Sequence, residues 1–563
     1  MGVRAQGAQA GSPPLGGRRG LPTVTHMARA SLVALALAHY ALAAAPAAPN
    51  IVLLLMDDVS VGLLDQSLAL MPNLRERVAA KGATLTNAAA ATPLCGPSRA
   101  SLLSGRFAHN NGYTADDDWP SMGRWLAIQN NTLGAWLTAA GYYTAYQGKS
   151  INGLEVFVPS GWRHWGGFMG ALGTYNYRNS TPYNVSFAAD GVTQTSPTSW
   201  RAMEGVHQAD YLGQDAVGHM RAAVAESRPF FLHLAPTMAH FGTCDGPHLD
   251  LSLYADADPF WELALAARHG CPNASANQGC KLPISPCPSA RNAGAAAGRE
   301  YPHAAAWNVS ASGVLPLEMA RPPLTSFEAG RQSVGYRNRT ASLVDLDDML
   351  GVVLDGLDAL GLENSSFVLV TSDNGYHLGE HRLPMGKEHP YDTDVRVPMV
   401  VRGPGIPAGV ALPAPVTLVD LTATVLELAG GVAHTGPALD GQSFAQALTG
   451  AGAAASLWQR NFTFSEHFDG KNSWVHVRFP GDAPGALARA SFTRWCTNES
   501  EVYDLQGDAQ QVRNIAGEAG RGREAEAQGR ALALAMLACS GETCASPVAG
   551  QGAAAVPCYK ITH

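Results

Sequence analysis

No run of basic residues stands out in this sequence, and charged residues of both signs make up only 15% of it. The net charge is −8 and the pI near 6.1. Such a chain lacks the Lys/Arg-rich face that nucleic-acid binding needs. Past residue 45 there is no apolar run long enough to cross a bilayer. Cysteine is sparse and odd in number, nine in 563 residues, so pairing all of them leaves one thiol over. What is plentiful is apolar side chain, 46% of residues, in a chain long enough for two domains.

The N-terminus reads as a targeting segment. Met27-Ala28-Arg29 carries a positive charge, Ser31 to Ala45 is apolar, and the stretch ends in small residues at Ala43-Ala44-Ala45. That is the pattern of a signal peptide cleaved near Ala43 or Ala45. It predicts a secretory route: an extracellular, cell-wall, periplasmic or lysosome-like compartment, with no membrane span left after cleavage. Setting Cys95 aside, four cysteines fall between 244 and 287 and four between 496 and 558, and each group can pair within itself. N-x-S/T sequons at Asn130, Asn179, Asn184, Asn273, Asn308, Asn338, Asn364, Asn461 and Asn498 fit the same route.

Three apolar runs read as buried strands, because a sheet covered on both faces uses continuous rather than alternating hydrophobicity. They are Asn50–Met56, Arg228–Ala235 and Phe367–Thr371. Each delivers polar residues at its carboxyl end, where open α/β sheets place their chemistry. The first ends at Asp57-Asp58, the second leads to His240, and the third leads to Asp373-Asn374. A shorter strand, Tyr142–Tyr146, precedes Lys149. Helices are expected from Met71 to Ala80, Leu133 to Ala140, His207 to Arg221, Ser342 to Leu360 and Val419 to Leu428. Phe241 to Pro323 is loose and reads as a disulfide-pinned loop region. Past Gly452 the pattern turns to short antiparallel strands, Trp474–Phe479 and Ala490–Trp495, then a helix over Arg523–Ala538.

The stretch around Cys95 organises the rest. Proline is at home in a first helical turn, so Pro97 can begin a helix whose first turn holds Ser98 and Arg99. Cys95 and Arg99 then sit by free backbone N–H groups, a place that favours anions and depresses a thiol pKa. Cys95-Gly96-Pro97-Ser98-Arg99, continuing to Leu103, Gly105 and Arg106, resembles the type I sulfatase signature C-x-P-S-R-x-x-x-L-x-G-R. Gly148-Lys149, the Ala235-Pro236 to His240 segment, Asp373-Asn374-Gly375 and Lys387 resemble further segments of that family. The histidine often found just after the first lysine is missing; the run is Lys149-Ser150-Ile151-Asn152. In this, and in Val158–Trp162 and Tyr175–Tyr177, the chain resembles the N-acetylglucosamine-6-sulfatase branch. Those aromatics either floor a sugar or aryl pocket or simply pack.

The resemblance implies an alkaline-phosphatase-like α/β fold with a central, mostly parallel mixed sheet flanked by helices, plus a smaller C-terminal domain with an antiparallel sheet. The implied division is a 1–45 extension and signal peptide, a 46–453 catalytic domain with a 241–323 loop insertion, and a 454–563 domain. It implies that Cys95 is oxidised to formylglycine by a formylglycine-generating enzyme, and that the hydrated aldehyde attacks sulfate esters of a small molecule or glycan. It also implies one Ca²⁺ held by Asp57, Asp58, Asp373, Asn374 and position 95. That all-oxygen set suits a hard cation rather than Zn²⁺. Arg99, Lys149 and Lys387 would hold sulfate oxygens, and His240 would serve the leaving group. Two alternatives remain open at this point: a phosphoesterase of the same superfold, which should show a Ser or Thr nucleophile and a His-rich zinc pair, and a catalytically silent secreted glycan-binding protein.

Overall fold

The first apolar run becomes the middle of the molecule. In the computed structural model the described residues are 48–116, 119–152, 159–169, 181–182, 185–186, 207–240, 242–245, 281–284, 288–313, 319, 321–450, 458, 460–481, 485–548 and 552–558. The strands are β1 (Asn50–Met56), β2 (Ala83–Ala89), β3 (Tyr143–Gly148), β4 (His164–Met169), β5 (Thr181–Pro182), β6 (Val185–Ser186), β7 (Phe230–Ala235), β8 (Gly242–Asp245), β9 (Lys281–Ile284), β10 (Ser366–Ser372), β11 (Met399–Arg402) and β12 (Val410–Thr417), followed by β13 (Thr463–His467), β14 (Trp474–Phe479), β15 (Ala490–Trp495) and β16 (Ser500–Asp504). The large sheet runs β12-β2-β11-β10-β1-β7-β3-β4-β5, with β6 also on β4. Its centre is parallel, and β11 lies antiparallel to both neighbours. Strands β8 and β9 form a separate antiparallel ribbon.

Ile51 to Met56 are at most 1% exposed. Alternation explains why the run is unbroken. Ile51, Leu53 and Leu55 join one core with the helices Cys95–Ser104, Leu133–Ala139 and Leu418–Leu428. Val52, Leu54 and Met56 join the other core with Gln208–Ala225 and Ser326–Ala359. Burying each such side chain is worth roughly 1.5–3 kcal/mol, so β1 has no solvent face to spare for polar residues.

The helix expected from Ser342 starts sixteen residues earlier in the chain, at Ser326, and runs to Ala359. Its first half buries Gln332, Asn338, Arg339 and Thr340 among Val334 and Tyr336, so a mixed buried face hides it from apolar periodicity. The Thr325/Glu328 capping box does mark its start. The Asn338 sequon lies inside this helix at 1% exposure, so the folded chain does not present it; Asn130, Asn364, Asn461 and Asn498 are exposed. Trp162 resolves to packing: it stacks on Phe231 and meets Tyr146 edge-on within the core. Tyr175–Tyr177, the N-terminal segment, the 453/454 boundary and most of 241–287 lie outside the described residues. No described helix is long and apolar enough to cross a membrane.

Strands β13 to β16 make the expected antiparallel sheet in that order. Val475, Val477 and Phe479 face the helix Arg521–Leu537, while Trp474 turns to the opposite face with Trp495, Tyr503, Leu383 and Tyr391. Two disulfides, Cys496–Cys558 and Cys539–Cys544, pin the C-terminal cysteine group within itself.

His109 belongs to the short helix Ala108–Asn111 and ties it to the second sheet. Its Nδ1 lies 2.7 Å from Glu466 of β13, and its Nε2 3.2 Å from the Cys539 carbonyl. Burial opposes protonation of His109, yet the Glu466 carboxylate outweighs it and raises the pKa above the usual 6.5. A raised folded pKa gives stability that is complete below the unfolded value and is lost as pH rises through the folded one. The urea midpoint is therefore expected to fall between pH 6 and pH 9. His109→Gln should flatten that slope; an unchanged slope would refute the linkage.

Candidate active site

Register puts the chemistry together. Met56 pairs with Ser372 across β1 and β10, so Asp57 and Asp373 leave their strands level, with Asp373 N donating to the Met56 carbonyl at 3.1 Å. On the other side Gly148 pairs with Ala235, and Lys149 N donates to the Ala235 carbonyl at 2.7 Å. Gly148 has φ +106, and a Cβ there would lie 2.1 Å from the Ala235 oxygen, so only glycine lets the chain turn Lys149 inward. Asp58 adopts φ +62, a left-handed conformation uncommon for aspartate that re-aims its carboxylate away from the strand line.

The Cys95 helix begins at Cys95, not Pro97: Leu94 is the N-cap, and Pro97 is the third residue. Its Gly96 N–H donates to Asp116 Oδ1 at 2.8 Å, and Asn152 Nδ2 reaches the other Asp116 oxygen at 2.9 Å. A Cβ at residue 96 would lie 2.0 Å from that Asp116 oxygen, which fixes glycine here. Asn152 thus braces the start of this helix through Asp116, a link the sequence did not disclose.

Cys95 is 1% exposed. Its Sγ lies 2.6 Å from Lys387 Nζ, 3.1 Å from Lys149 Nζ and 3.7 Å from Asp57 Oδ1. Lys149 also contacts Asp57 Oδ2 at 2.8 Å, and Lys387 contacts Asp58 Oδ1 at 2.5 Å. Arg99 donates from Nε to Asp373 Oδ2 at 2.9 Å and from Nη1 to the Lys149 carbonyl at 2.8 Å. Its guanidinium therefore holds a carboxylate and a backbone turn. His240 Nε2 lies 3.7 Å from Asp58 Oδ2. The ligating atoms of Asp57, Asp58, Cys95 and His240 all fall within 4.8 Å of one another.

Three buried carboxylates, Asp57, Asp58 and Asp373, face the buried Arg99 and Lys149 and the part-buried Lys387 here. Burial disfavours ionising Asp57, but Lys149, His240, Arg99 and Lys387 together hold its carboxyl far below the usual range. Burial pushes Asp373 up to about 6 against the pull of Arg99. Burial, with Lys149 adding, pushes His240 down to about 4. The thiol departs from the sequence-based expectation: burial drives the Cys95 pKa upward, and Asp57 and Asp58 add to this against Lys149 and Lys387. The helix-end effect is worth about 1 kcal/mol and is outweighed. As a free thiol, Cys95 is a poor nucleophile.

The donor set fits a hard cation. Asp58 Oδ2 and Asn374 Oδ1 are buried and have no hydrogen-bond partner. Orphaned carboxylate and amide oxygens beside Asp57 and Asp373 are the ligand type Ca²⁺ or Mg²⁺ takes.

Sequence reasoning missed Arg339. This buried guanidinium donates from Nη2 to the Asp58 carbonyl and lies 4.3 Å over the Tyr376 ring, bracing the acidic tip from behind. His377 is 2% exposed, and its Nδ1 lies 3.0 Å from Asp394 of the short helix Asp392–Val395 that follows Lys387. His233 is wholly buried in β7 and stacks on Tyr146.

Comparison with known proteins places this geometry. The chain is 28% identical to an arylsulfatase of Volvox carteri over 568 residues, covering 92% of this chain and 79% of that one. It is 26% identical to the human N-acetylglucosamine-6-sulfatase over 560 residues, covering 90% and 88%. A solved structure described as a complex with its substrate D-glucosamine-2-N,6-O-disulfate superposes with a TM-score of 0.58 at 20% identity, over 84% of this chain and 94% of that one. A phosphonate monoester hydrolase from Silicibacter pomeroyi shares the fold at a TM-score of 0.53 and 20% identity, over 84% and 92%. The sulfatase family model matches residues 49–432, which take in the Cys95 helix and all the acidic strand tips. The chain belongs to the sulfatase family of sulfuric ester hydrolases.

Proposed function

We propose that the protein hydrolyses sulfate monoesters at Cys95 after its oxidation to formylglycine, with one Ca²⁺ at Asp57, Asp58, Asp373 and Asn374. The observation that carries this reading is the placing of Cys95 Sγ between Lys149 and Lys387, next to the unpartnered oxygens of Asp58 and Asn374. That sulfur stands where the formylglycine oxygens would be. When formed, the hydrated aldehyde supplies one hydroxyl to attack sulfur and a second whose proton loss releases sulfate. When bound, calcium supplies positive charge for the sulfate oxygens.

The chain's own residues do the rest. Lys149 and Lys387 present ammonium groups at the reacting atom, where they neutralise charge that builds on sulfate oxygens. Arg99 clamps the Asp373 carboxylate and the Lys149 turn, so both stay aimed without reorganisation. His240 sits at the edge of the cluster, 15% exposed at its side chain, on the side open to a leaving alcohol or phenol. Burial, with Lys149 and Lys387 adding, holds its pKa down; an incoming sulfate anion offsets the lysines' share, which readies His240 to give a proton to the leaving oxygen.

The named relatives support an aryl sulfate or an N-acetylglucosamine 6-sulfate as substrate. The two C-terminal disulfides support maturation in an oxidising, secretory compartment. The test is a panel of nitrophenyl sulfate, N-acetylglucosamine 6-sulfate and nitrophenyl phosphonate esters, run with secreted protein before and after chelation. Turnover of a sulfate ester, lost on chelation and restored by Ca²⁺, is expected. Turnover of the phosphonate ester with none on any sulfate would overturn the reading.

A further inference from the structure

The loop that carries Lys387 meets the second sheet across a gap lined by three ligating side chains. His467 is the last residue of β13, 1% exposed, and neither of its ring nitrogens has a hydrogen-bond partner. A buried imidazole left unpaired in a native protein points to a missing partner. Its Nε2 faces Glu388 Oε2 at 4.0 Å, beyond hydrogen-bond reach. One ligand atom each from Glu388, His467 and Asp469 lie within 4.8 Å of one another.

The backbone holds these groups in place. Trp474 Nε1 donates to the Glu388 carbonyl at 3.0 Å, Asp469 N donates to Ser473 Oγ at 2.9 Å, and His467 is in register with Trp474. Lys387, the cation next to Glu388 in the chain, is turned onto Asp58 and Cys95. Glu388 and Asp469 thus place two carboxylates beside the unpaired imidazole.

We propose that Glu388, His467 and Asp469 hold a second divalent cation, of the zinc or manganese class, that ties the Lys387 loop to the second sheet. An imidazole with two carboxylates selects such an ion over Ca²⁺, whose sites are all oxygen, and the two carboxylates balance its charge. The ion positions Lys387 by fixing the adjacent residue; it does not itself reach the sulfate.

Co²⁺ is the probe, because it replaces zinc-class ions and its visible band shifts and strengthens when a low-coordinate protein site takes the ion from water. Full-length, calcium-saturated protein should take up one equivalent of Co²⁺ with a visible band. Glu388→Gln and His467→Gln should each weaken that uptake by at least about tenfold, while His389→Gln should not. Glu388 is a half-exposed side chain, 42% accessible, so its variant folds even if His467→Gln does not. No Co²⁺ uptake by the unaltered protein, or equal uptake by Glu388→Gln, overturns the proposal. Loss of uptake in His389→Gln also overturns it, by moving the ion to the His377, His389 and Asp394 group.

Discussion

Cys95→Ala is expected to lower kcat/KM on sulfate esters by at least about a thousandfold, which is about 4 kcal/mol of transition-state stabilisation. The side chain lies at the focus of the site, in contact with both lysines and both tandem aspartates. Alanine is smaller and neutral, so the fold should survive and circular dichroism should match the parent. Cys95→Ser gives the second half of the test. A hydroxyl in that place can be sulfated but has no second hydroxyl to expel sulfate, so it should give at most a single turnover. Mass spectrometry of the peptide containing Cys95 from active protein should report the aldehyde rather than the thiol. Full activity with an unmodified thiol would sink the mechanism. The upward-shifted thiol pKa argues the same way, since an unoxidised Cys95 is held neutral.

Lys387→Ala is expected to cut kcat by about 10²–10³, the usual effect of removing one preorganised donor from a site of developing charge. Its ammonium bridges Asp58 and Cys95 at 2.5 and 2.6 Å. Removing it takes charge from the reacting atom and also leaves Asp58 less compensated, because burial already disfavours that carboxylate. Lys387→Arg should not restore activity, since a planar fork cannot occupy the place of a compact ammonium between a carboxylate and the nucleophile. A change confined to KM, with kcat unaltered, would show that Lys387 only binds sulfate and does not act on the transition state.

Much of this site was legible in the chain itself. Asn50–Met56 and Phe367–Thr371 read as buried strands because both faces of each are covered, which leaves an unbroken apolar run. Their polar ends read as chemistry because strand tips are where such sheets expose it. Pro97 gave the helix start to within two residues. The antiparallel strands at Trp474–Phe479 and Ala490–Trp495 were also legible, as short segments past the change of pattern at Gly452.

Other features were decided only by tertiary structure. The first half of the Ser326–Ala359 helix mixes buried polar side chains with Val334 and Tyr336, so no clean apolar stripe marks it. Arg339 carries no local signal of its role, although it anchors the Asp58 carbonyl. The elevation of the Cys95 thiol could not be read from its helix position, since burial and two carboxylates across the fold outweigh a local dipole. Asp116 and His467 likewise gain their meaning from partners far along the chain. Local physics writes strands, caps and turns into sequence, because their causes lie a few residues apart. The balance of buried charge depends on which distant side chains meet, and that is set by strand register and by how the second sheet packs.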